Sequence, residues 1–179
     1  MERKLTGPAL ADAEWDRTAW HIAGTAVALV VQGLPVSGAS IRWERAEREG
    51  NWLVAAGEIR LTENGGCPVS CPDTVTADKS VIAALAGRAA EIWQVAWASG
   101  RPEAEVRAGI EAADGDQFAG ISGVASAVVH ARISREEAEQ RASDLITRWW
   151  DQICVVALLL QDNQTLTAAE IAAVTGPCR

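Results

Sequence analysis

The chain has no tyrosine and a single phenylalanine, so its aromatic content rests almost entirely on eight tryptophans. Lysine is nearly absent too, standing only at 4 and 79, and the formal net charge is −8. Binding along a phosphate backbone demands a basic face, so the charge excludes nucleic acid as an expected partner. No apolar run approaches the roughly 20 residues that span a bilayer. The longest, Ala26–Val31 and Ile153–Leu160, read as core helices, and no membrane role is expected. Met1-Glu2-Arg3-Lys4 is charged with no apolar segment behind it, which points to the cytoplasm. Cysteines are few, at 67, 71, 154 and 178, and a cytoplasmic chain of this size does not need disulfides. Cys67 and Cys71 could give two metal ligands, but the spacing departs from the usual knuckle and no second Cys/His pair follows, so no metal and no cofactor is expected. Internal repeats and low-complexity tracts are also lacking.

What is there reads as one domain of mainly helical α+β class, residues 14–179, behind an N-terminal arm at 1–13 that carries Gly7-Pro8. A first helix is expected to begin near Asp12 to Asp16, with acidic residues at its positive end, and to run to Gln32 before Gly33. It is apolar on most sides after Trp20, which predicts a central, buried helix. Val36–Glu44 and Trp52–Leu61 predict a small antiparallel hairpin or sheet. The breakers of Asn64–Pro72 predict a rim loop. Apolar residues at threes and fours predict a second core helix from Thr76 to Ser99, and a short helix is expected over Glu103–Ala112. Asp114–His130 reads as helical but small-residue-rich. Ser134-Arg-Glu-Glu137 and Thr167-Ala-Ala-Glu170 are capping-box patterns, opening a long helix from 135 to about 161 and a last one stopped by Gly176-Pro177. Trp149 and Trp150 cannot both point inward from one regular helix, so one of them is expected at a surface, an interface or a pocket mouth.

His21-Ile22-Ala23-Gly24-Thr25 has the frame of a zincin helix, His-Glu-x-x-His, with Ile at the general-base position and Thr at the second ligand. With Trp20–Val27 around this stretch, Leu85-Ala-Gly-Arg-Ala-Ala-Glu91, and a closing pair of helices over Leu145–Val174 that ends in a Leu-Thr-Ala-Ala-Glu-Ile motif, the chain resembles the protease domain of FtsH-type zinc metallopeptidases, in particular small stand-alone relatives. The likeness covers roughly residues 17–176. It implies a zincin-like helical core, and a third ligand position at Asp114 or Asp116, between which the register stays open. One His and one Asp are two ligands where a catalytic zinc needs three and an open position, and Ile22 takes no proton from water.

The resemblance therefore implies a proteolytically inactive protein whose remnant cleft binds an apolar or aromatic small molecule or a protein partner. The alternative is a metal-free biosynthetic enzyme, of cyclisation or isomerisation type, in the same cleft. An active zinc peptidase ranks third. Catalytic candidates are His21, Glu91, Asp114 and Asp116. Glu91 would face the cleft in family-like packing or be a solvated helix residue, and His21 is a relic or an active polar group. Trp20, His21, Thr25, Trp93 and Trp97 are the expected ligand-binding residues, because indoles suit flat apolar ligands; the alternative is that the tryptophans are core anchors. A homo-oligomer is compatible with all of these readings.

Overall fold

The computed structural model describes residues 8–45, 53–61, 74–114 and 131–176, with the backbone alone at 8–12, 44–45, 53–55 and 111–114. The fold is mainly helical with a small antiparallel sheet. In chain order the elements are α1 (Pro8–Val31), β1 (Val36–Arg45), β2 (Leu53–Leu61), α2 (Thr74–Ser99), α3 (Glu103–Asp114), α4 (Arg135–Asn163), β3 (Thr165–Thr167) and α5 (Ala168–Thr175). No helix among the described residues is long and apolar enough to cross a membrane.

The first helix is central. α1 packs against α2, α4, α5 and both long strands. Its residues from Ile22 to Leu29 are all buried, which is why the sequence there is apolar on every side. It starts at Pro8, earlier than its acidic residues suggest, and has no acid in its first turn, so part of the expected arm is helix. Proline suits that place because the first turn has no use for its missing N–H. At the other end Gly33 has φ 75°, its N–H bonds to the Val30 carbonyl, and the Leu34 N–H reaches the Leu29 carbonyl. That pair of bonds is a Schellman stop and needs the left-handed residue.

The sheet order is β2-β1-β3. β1 and β2 pair antiparallel with Ile41 opposite Gly57, and the hairpin expectation holds. The third strand was not legible in the sequence: three residues are too few to show alternation. It pairs Ala39 with Leu166, and Leu166 is its one buried side chain.

α1 and α2 cross at backbone range. A Cβ on Gly24 would lie 2.7 Å from Ala90 Cβ and 2.9 Å from the Ala86 carbonyl, so only glycine fits this crossing. Ala83, Ala86 and Ala90 keep the seam narrow on the α2 side, all buried.

Both caps form, with one difference. Thr167 and Glu170 make the full reciprocal box at the start of α5. Ser134 accepts the Glu137 N–H at 3.2 Å, but the Glu137 carboxylate turns to Arg141 at 2.6 Å. Trp149 departs from helical geometry inside α4 (φ −116°, ψ 19°). This kink breaks the regular-helix assumption, and Trp149 and Trp150 are both half-buried against the core. The rim loop expected at Asn64–Pro72, with Cys67 and Cys71, and the helix expected at 115–130 with His130 fall outside the described residues.

Candidate functional site

Because α1 and α2 run so close, one face of each supplies a single seam. Positions 17, 21 and 25 recur one turn apart on α1, and 87 and 91 do so on α2. At the tight end Thr25 meets Gly87: a Cβ there would stand 2.0 Å from Thr25 Oγ1 and 2.6 Å from the His21 carbonyl. The Thr25 hydroxyl donates to that same carbonyl at 2.9 Å. Thr25 is buried, so the space beside it is filled by helix backbone and not by a hollow.

At the wider end lies a charge cluster. Glu91 is 3% exposed. Its Oε1 accepts from Arg17 Nε at 2.7 Å; its Oε2 is 3.2 Å from Arg88 Nη1 and 3.4 Å from His21 Nδ1. Burial pushes the Glu91 carboxyl up. The His21 hydrogen bond and the charges of Arg17, His21 and Arg88 more than offset this, and hold it at about 2 in place of 4.5. Glu91 is thus neither solvated nor spare: it is the hub of three cationic or donor groups. Arg17 and Arg88 were not among the expected site residues. The signal was available, since Arg17 is one turn before His21 and Arg88 lies inside the Gly-Arg-Ala-Ala-Glu motif.

Ile22 points to the sheet. It lies over Gly57 of β2, where a Cβ would come within 2.2 Å of its Cγ1. No group of three or more His, Cys, Asp or Glu side chains suited to a metal ion occurs among the described residues. Asp114 is the last residue of α3, and its side chain, like all of Asp116, lies outside the described residues.

Among the described residues, six of the tryptophans fall into two groups. Trp15 stacks on Trp43 at 5.1 Å between α1 and β1. Trp20 stacks on Trp150 at 5.3 Å, and Trp150 tilts against Trp93 at 5.5 Å. Trp93, Trp97 and Trp150, with Ala96 and Glu103, wall an open pocket of about 220 Å³. Trp97 is 84% exposed, so it forms an outer lip and not part of a cleft beside His21. Of the five expected ligand-binding residues, Trp93 and Trp97 line this pocket, Trp20 lies behind Trp150, and His21 and Thr25 belong to the seam. A second hollow of about 380 Å³ shares Trp93 and Glu103 with the first and adds Arg88, Arg107, Arg135 and Glu139.

Neither the known family models nor the curated proteins contain a match to this sequence.

Proposed function

We propose that the chain is a proteolytically inactive, FtsH-type peptidase-like protein of the cytoplasm that binds an apolar or aromatic small molecule. The site is the pocket walled by Trp93, Trp97 and Trp150. The observation that carries this reading is the contrast between the two ends of the α1–α2 layer: the remnant zincin positions are engaged internally, whereas three indoles border open space. Indole faces favour flat partners, and about 220 Å³ is below the roughly 300–1,000 Å³ of drug-sized sites, so the ligand is small. Titration with naphthalene, read by intrinsic fluorescence, tests it. Saturable binding that weakens in Trp97→Ala and Trp93→Leu supports the reading. A flat titration, or binding indifferent to both substitutions, overturns it.

A second reading, a metal-free enzyme of cyclisation or isomerisation type, is favoured by one observation. Glu91 stands at His21 Nδ1, as an orienting carboxylate does behind an imidazole that acts as base. The His21 side chain is partly exposed, so its ring is not sealed in the core. Under this reading His21→Gln abolishes turnover while naphthalene binding persists.

A further inference from the structure

β2 lies at the edge of the sheet: among the described residues β1 runs along one side of it and no strand along the other. Which backbone groups that edge presents follows from one hydrogen bond. The Ile41 N–H donates to the Gln164 carbonyl, on the β3 side, so the Ile41 backbone groups point away from β2. Ile41 stands opposite Gly57, and in an antiparallel ladder both members of such a pair point away from each other. The N–H and C=O groups of Gly57, Ile59 and Leu61 therefore face outward. Gly57 is exposed, and with no side chain what it exposes is backbone. Unpaired edge groups of this kind are a template for another strand.

The sequence of β2 selects the strand that fits. Gly57 turns its missing Cβ toward Ile22 of α1, so Glu58 and Arg60 project from the opposite, outer face of the sheet, and both are exposed. Among the described residues no carboxylate pairs with Arg60, and Glu58 meets Arg42 through Oε2 at 3.1 Å, which leaves Oε1 open. We propose that β2 pairs antiparallel with β2 of a second copy of this chain, about a two-fold axis at Ile59. Glu58 of each copy then lies opposite Arg60 of the other. The exposed Leu61 lies opposite Gly57, where no side chain competes for the space. Gly57 with Leu61, and Ile59 with Ile59, exchange the outward backbone hydrogen bonds. Sliding the pairing by one step in either direction sets Glu58 against Glu58 or Arg60 against Arg60, so the charges select a single register. A foreign peptide could use the same backbone groups, but only a second β2 supplies this reciprocal match.

The test is sedimentation equilibrium of the full chain over a concentration series, with amide hydrogen exchange read beside it. A monomer–dimer equilibrium is expected, and the Gly57, Ile59 and Leu61 amides should exchange more slowly as the dimer fills. Glu58→Arg and Arg60→Glu each set like charges face to face, and each should raise the dissociation constant about 10-fold or more. The two substitutions together restore opposite charges and should bring the constant back to within about threefold of wild type. Thermal melts of each variant check that the fold survives. A chain that stays monomeric at every concentration overturns the proposal. A dimer indifferent to the single reversals, one that the double reversal does not restore, or one without protection at the three amides overturns it as well.

Discussion

Ile22 lies across Gly57, close enough that a Cβ on the glycine would stand 2.2 Å from Ile22 Cγ1 and 2.5 Å from its Cδ1. The Ile22 side chain is a fastener between α1 and the sheet. Gly57→Ala should therefore destabilise the protein by about 1–3 kcal/mol through overpacking, seen as a lower urea midpoint. Ile22→Glu should cost about 3 kcal/mol or more, because it removes a core contact and buries a carboxylate, and it should not create peptidase activity. Casein degradation that is abolished by a chelator, survives repurification and vanishes in His21→Ala would contradict this account.

Glu91 sets the acid limb of stability. Its carboxyl sits at about 2 when folded, against 4.5 for an unperturbed one. The stabilisation is fully present above about pH 4.5 and is lost as pH falls from there through 2. The full linkage corresponds to about 3 kcal/mol. Arg17, Arg88 and His21 are partly solvated, so Glu91→Gln should cost less than a fully buried pair would, about 2–3 kcal/mol at pH 7. Unfolding curves from pH 7 to pH 3 should show wild type losing stability faster than the variant. Parallel slopes would show that Glu91 does not carry the linkage.

The α1–α2 crossing predicts an asymmetric rescue. Gly87→Ala places a methyl against Thr25 Oγ1 and the His21 carbonyl, and should cost about 1–3 kcal/mol. Removing the hydroxyl with Thr25→Ala should restore only part of that loss, because the backbone carbonyl stays in place. Full recovery in a denaturant-unfolding double-mutant cycle would mean that the hydroxyl alone sets the approach.

Much of this layout was legible in the sequence because the controlling forces are local or periodic. The all-round apolar stretch after Trp20 marked the central helix, and Thr167 with Glu170 marked the start of α5. The β1–β2 pairing followed from β-branched and aromatic residues on either side of a charged stretch of sequence. What the sequence hid depends on tertiary context. β3 exists only because Leu166 docks beside Ala39. Trp149 and Trp150 are both half-buried, Trp150 at the wall of the open pocket, beside a kink at Trp149 that no proline or glycine announces. His21 and Glu91 were named as candidates, but their meeting with Arg17 and Arg88 depends on how closely two helices approach, and Gly24 and Gly87 reveal that only once they face each other. The pocket likewise moved from Thr25 to the outer side of Trp93, since a seam packed against backbone leaves no hollow.

The stacking arrangement allows the proposed ligand site to be tested directly from indole N–H resonances. Trp93, Trp97 and Trp150 border the pocket and Trp20 stacks behind Trp150, whereas Trp15 and Trp43 stack on each other in a separate pair. In a nitrogen–proton correlation spectrum of the labelled chain titrated with naphthalene, the signals of Trp93, Trp97 and Trp150 should move together and saturate. Trp20 should follow more weakly, and Trp15 and Trp43 should stay in place. No saturable movement, or movement confined to Trp15 and Trp43, would contradict the claim that this protein binds an aromatic ligand in the Trp93–Trp150 pocket.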